Sequence, residues 1–158
     1  MKNLCCPEDL STFKIEVNQL LGRLYSQYYN ITFLSLLDDE GNIVDIQIHS
    51  PHSTESKKKV DEILKKTIEF KIATSKAAKL LGFDTASETF TKGDSHIIVT
   101  YEILNFLLII FIEMSKPLID SFDFEKFTEK IELILIELKK KITSLKQSDE
   151  GKSVSKNR

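Results

Sequence analysis

Few side chains in this sequence are spaced for chemistry. Cys5 and Cys6 are the only cysteines. Adjacent cysteines rarely close a structural disulfide, because the bridge geometry is strained, so no disulfide framework is expected. Acylation is the alternative, since two chains near an N-terminus would anchor firmly. Lys2 stands where myristoylation needs a glycine, and no basic cluster flanks the pair. Reduced thiols are therefore preferred, with Cys5 and Cys6 kept as the candidate lipidation site. His49 and His52 would have to join the cysteines to make a zinc set, but adjacent cysteines chelate poorly and Ser50-Pro51 reads as an ordinary loop. No metal and no cofactor is expected.

The remaining motifs dissolve in the same way. Asp38-Asp39-Glu40-Gly41-Asn42 lacks the alternating ligands and distal glutamate of a calcium loop and reads as a solvated turn. Gly151-Lys152-Ser153 resembles the end of a phosphate loop, yet Lys146 occupies the position of its first glycine. Asn30-Ile31-Thr32 spells a glycosylation acceptor at the start of an interior strand, without a secretory signal in front of it. His96 has no Ser or Cys nucleophile and acidic orienter assignable by spacing. Lys139, Lys140 and Lys141 sit where cations complement a helix C-terminus, and an anionic membrane is the lesser reading. Without a catalytic constellation, the expectation is a protein that is not an enzyme.

The elements that would position any site are clearer. Phe106 to Ile112 is an unbroken apolar run. A strand apolar on both alternating faces must be covered on both sides, so a sheet with helices on each face follows. Glu102 and Asn105 interrupt the longer apolar stretch 97–114, which excludes it as a membrane span. Net charge of -2 over 158 residues argues against nucleic acid as a partner and fits one domain. A cytosolic location is expected.

Leu10, Phe13, Val17, Leu20, Leu21, Leu24 and Tyr28 recur at helical intervals. Ile31 to Leu37 and Ile43 to Ile48 flank turn residues and read as a hairpin, with Val44, Ile46 and Ile48 sharing a face. A long helix is predicted from about Lys57 to Leu81, with Gly82 at its C′ position. Val60, Ile63, Leu64, Thr67, Phe70, Thr74, Ala77, Ala78 and Leu81 gather on its broad apolar face. Ser87 to Lys92 reads as a short polar edge strand and His96 to Leu104 as the next strand, before the apolar run. The last helix spans about Phe122 to Leu145. The domain limits are a flexible N-terminus over 1–8, a domain over 9–145 and a disordered basic tail over 146–158.

In this order the chain resembles the roadblock family, the dynein-light-chain and Ragulator-type modules that include bacterial and archaeal regulators of small GTPases. The resemblance covers about Leu10 to Leu145. It rests on the junction Tyr28-Tyr-Asn-Ile-Thr-Phe-Leu-Ser-Leu-Leu-Asp-Asp-Glu-Gly-Asn-Ile-Val, on the long helix, and on the three strands in the block from Glu88 to Phe111. Two features depart from it: many members have Gly or another small residue where Ser35 stands, and few have such a basic tail.

The resemblance implies an α+β, profilin-like fold, a five-stranded antiparallel sheet with helices on both faces in the order α-β-β-α-β-β-β-α. It also implies pairing with a second copy or a roadblock paralogue through Glu88, Thr89, Phe90, Thr91 and Lys92 and through Val60, Ile63, Thr67, Phe70, Thr74 and Ala77. The implied function is a non-enzymatic dimeric scaffold that binds a Ras-like small GTPase and modulates its nucleotide cycle or location. A small-ligand sensor, or a motor or membrane-complex adaptor without GTPase contact, is the alternative.

Overall fold

The computed structural model describes residues 7–28, 30–48, 54–82 and 87–156. Cys5, Cys6, His49 and His52 lie outside them. The elements run α1 (Pro7–Gln27), β1 (Ile31–Leu37), β2 (Ile43–Ile48), α2 (Thr54–Leu80), β3 (Glu88–Lys92), β4 (His96–Ile103), β5 (Phe106–Glu113), α3 (Lys116–Asp120) and α4 (Phe124–Lys156). The strands form one antiparallel sheet in the order β2-β1-β5-β4-β3. The apolar run is therefore the middle strand, paired with β1 on one side and β4 on the other.

Alternation along β5 divides the core. Phe106, Leu108, Ile110 and Ile112 pack into the cluster that also holds Val17, Leu21 and Leu24 of α1 and Ile131 and Leu138 of α4. Leu107, Ile109 and Phe111 face the other way, with Phe33, Leu37, Val60 and Leu64. The first layer is closed, but Leu107 and Phe111 are only partly buried, so α2 alone leaves part of its sheet face uncovered. Leaving apolar sheet surface open to water is unfavourable, so this is where a partner gains most.

The turns are held by local chemistry. Asp38 Oδ1 accepts the backbone N–H groups of Glu40 at 2.9 Å and Asn42 at 2.8 Å, while Gly41 takes φ +84°. The acidic turn is thus an Asx-type turn whose first carboxylate serves its own backbone. Between β4 and β5, Leu104 (φ 49°) and Asn105 (φ 74°) both adopt the left-handed conformation that a two-residue hairpin with type I′ twist demands. Gly82 at φ +88° ends α2 as expected of a C′ glycine.

Four expectations are corrected. Val44 packs with the cluster under α1 and α4, not with Ile46 and Ile48, because the register shifts between Leu36 and Leu37 and turns the strand over. A short helix, α3, follows β5 where a plain break is expected from Lys116-Pro117; proline fits its first turn. The last helix does not stop near Leu145 but continues to Lys156, so residues 146–156 of the expected disordered tail are helical. Strong helix formers such as Lys146, Gln147 and Glu150 outweigh the single Gly151 there.

The fourth concerns α2, whose broad apolar face is two stripes offset by about 80°. Val60, Leu64, Thr67 and Lys71 are buried against the sheet, whereas Phe70 is 49% exposed and Leu81 75%.

Candidate functional site

The uncovered part of the sheet lies between α2 and the β3 edge. Among the described residues β3 pairs only with β4, which leaves its outer backbone groups open, and four of its five residues are exposed. Its alternation sends Thr89 and Thr91 to the α2 side and Phe90 to the other. On the α2 side a groove of about 410 Å³ has Thr89, Thr91, Ile98 and Thr100 on the strand side and Ile63, Thr67 and Phe70 on the helix side. The hydroxyls of Thr89 and Thr100 bond each other across the strands. Thr67 and Thr74 donate their hydroxyls to the carbonyls of Ile63 (2.7 Å) and Phe70 (2.9 Å) in their own helix. The hydroxyls of Thr67, Thr89 and Thr100 are spent internally, so the groove presents a largely apolar surface flanked by Lys59, Glu62 and Lys66.

The expected partner-facing residues thus divide. Ile63 and Phe70 line the groove and Thr74 and Ala77 follow along the same stripe of α2. Glu88, Thr89, Thr91 and Lys92 form the free edge. Val60, at 8% exposure, is used by the chain's own core, and Thr67 lies buried at the groove's base. Phe90 is on the opposite face, stacked on Phe122 at 5.7 Å and Phe124 at 5.3 Å between ring centroids. There it joins the aromatic group around Tyr101, whose phenol bonds Thr128 at 2.9 Å. Burial pushes the Tyr101 phenol up to about 12, with the Thr128 bond opposing and Glu88 adding.

Lys71 is the residue that sequence reasoning missed. It follows Val60, Leu64 and Thr67 on the buried stripe, and its ammonium lies 3.2 Å from the Glu102 carboxylate on β4. That contact is electrostatic: the buried Nζ has no hydrogen bond of good geometry. The only signal in the sequence is its i+4 spacing from Thr67.

His96 does meet polar neighbours. Ser95 Oγ is 2.8 Å from Nδ1, and Glu113 Oε1 is 3.8 Å from Nε2. The glutamate is beyond hydrogen-bond reach, and both its side chain and the histidine's are substantially exposed. The ring stacks on Phe111 instead, at 5.0 Å. Among the described residues no group of three or more His, Cys, Asp or Glu side chains is placed to hold a metal, and no helix is long and apolar enough to cross a membrane.

Ser35, where the resemblance departs, is fully buried and donates its hydroxyl to the Asp45 carbonyl at 3.0 Å across the β1–β2 pair. A small residue that bonds its neighbour strand fits the interior there.

No family model and no curated protein matches the chain. Solved structures do. MglB of Myxococcus xanthus superposes with a TM-score of 0.62 at 18% identity, over 84% of this chain and 91% of that one. MglB in a tetrameric arrangement gives 0.64 at 14% identity, over 86% and 92%. A Roadblock/LC7 domain from Streptomyces avermitilis gives 0.62 at 11%, over 80% and 97%. With the five-stranded order, the helix before the hairpin and these likenesses over nearly whole chains, the protein has the roadblock fold.

Proposed function

We propose that this chain is a dimeric, non-enzymatic regulator of a Ras-like small GTPase. The observation that carries the reading is the open β3 edge beside the half-covered α2 groove, in a fold shared with MglB and a Roadblock/LC7 domain. An edge strand offers backbone pairing and the exposed α2 stripe offers apolar area; together they suit a second copy of the chain. A paired platform then presents two α2 helices side by side to a GTPase.

Among the described residues no arginine is free for direct insertion into a GTPase site. Arg23 is tied to Glu137 at 2.7 Å along the α1–α4 seam, and Arg158 lies outside the described residues. Any acceleration of hydrolysis would come from ordering the GTPase's own switch segments. The test is affinity capture from native cytosol on the full chain, in GTP-analogue and GDP buffers, followed by turnover of the captured GTPase with excess protein. A Ras-like GTPase enriched in one nucleotide state, with altered turnover, supports regulation. Enrichment with unchanged turnover leaves a scaffold, and no GTPase in either state overturns the reading.

A further inference from the structure

A second cleft lies on the sheet face opposite the α2 groove, where the end of α1, the start of β1, the end of β5 and the α3–α4 segment meet, and its Phe122 stacks on Phe90 of β3. Its volume is about 420 Å³, within the ~300–1,000 Å³ of small-ligand sites. The floor is apolar and closed: Ile31, Ile112 and Phe127 are 1%, 2% and 6% exposed. Met114 and Phe122 continue it, and Leu118 stands at the mouth with 49% exposure. Apolar surface left open in a concave site is a binding feature more often than an isolated exposed leucine is.

The charges at the mouth are asymmetric. Lys126 and Lys130 line the cleft one helical turn apart on α4, and neither forms an ion pair among the described residues. The one lining carboxylate, Asp123, is engaged with its own helix, accepting the Lys126 backbone N–H at 3.1 Å. Ser121 turns its hydroxyl back to the carbonyls of Pro117 and Leu118. Tyr28 packs on Phe127 at 5.6 Å, and burial raises its phenol above the ordinary value. Two ammonium groups against one carboxylate leave the mouth net cationic, over an apolar floor.

We propose that this cleft binds a small apolar carboxylate, a medium-chain acyl acid whose chain lies on Ile112, Met114 and Phe127 while Lys126 and Lys130 hold the carboxylate. An uncharged chain of equal length would gain the floor but not the two ammonium groups.

The probes are decanoate and decan-1-ol, each titrated below its micelle or solubility limit into the full chain at neutral pH. Calorimetry gives affinity and methyl spectra give location; Met114 is one of only two methionines, so its methyl signal is readily assigned. One saturable site is expected, with decanoate at least about tenfold tighter than decanol. Shifts should centre on Met114, Ile112 and Leu118. The K126Q/K130Q double variant, on an exposed helix face, should lose that preference while binding decanol as the parent does. Lack of saturation, equal affinity for acid and alcohol, shifts centred on the α2 groove, loss of spectral dispersion, or parent-like decanoate binding by the double variant would each overturn the proposal.

Discussion

Lys71 and Glu102 show how one buried pair makes two substitutions unequal. The Lys71 side chain is 10% exposed and that of Glu102 30%. Taking away the glutamate leaves an ammonium deep in the α2–sheet layer, whereas taking away the lysine leaves a carboxylate that water can still reach. Glu102→Ala is expected to cost about 3 kcal/mol, and Lys71→Met about 1 kcal/mol or less, in urea unfolding. Equal costs would mean that the pair is not buried in solution. Tyr101 adds a pH dependence at the same scale. Its phenol titrates near 10 when unfolded and about 12 when folded, so the folded state holds the proton more tightly. The associated stability is complete below pH 10 and is lost as pH rises from 10 through 12. Tyr101→Phe should flatten the alkaline arm of the stability profile over that window, at a cost of about 1 kcal/mol at pH 7 for the lost Thr128 bond. An unchanged alkaline arm, followed by circular dichroism, would show that another group governs it.

The β4–β5 turn is an element whose sequence and geometry disagree. Leu104 takes φ 49°, costly for a residue with a Cβ, and is 37% exposed, so little packing compensates. Lys146 donates to its carbonyl at 2.7 Å and braces the turn from α4. Leu104→Asn, which accepts the left-handed region more readily, should stabilise the protein by about 0.5–1 kcal/mol; a loss in thermal unfolding would show that the leucine packs in solution. Such elements explain what was legible in the sequence. Phe106 to Ile112 announced a central strand because every position is apolar, and Gly82 marked the end of α2 because few other residues tolerate its φ. The two stripes of α2 were not separable, since positions about 80° apart merge into one broad face on a wheel until a sheet selects one of them. Phe90 lies on β3, but its side chain is on the face away from α2, and its stacking on Phe122 and Phe124 depends on a loop and a helix more than thirty residues away, which no local pattern encodes. The pattern thus gathers the residues expected to face a partner into one region, and it does not reveal their division between core and groove.

For the whole molecule, the decisive asymmetry is between two covered faces. α1 and α4 close one side of the sheet with fully buried Leu21, Leu24, Ile131 and Leu138, while α2 covers the other side incompletely. A single chain therefore ends in an open strand edge beside a groove that holds Phe70 half exposed. Antiparallel pairing of two β3 edges would continue the sheet across both copies and bring the two α2 stripes together, burying Phe70 and Ile63 at the seam. Light scattering at micromolar concentration should return twice the 18.1 kDa chain mass, and the melting temperature should rise with concentration, as it does when folding and association are linked. Phe70→Asp places an unpaired carboxylate in that seam but leaves the monomer core untouched. It should weaken association by about a hundredfold or more and return the mass of one chain, with an unchanged circular dichroism spectrum. A parent protein that stays monomeric at these concentrations would remove the dimer. A Phe70→Asp variant that still dimerises would move the interface away from α2, and Leu133, 75% exposed on the outer side of α4, would be the next position to substitute.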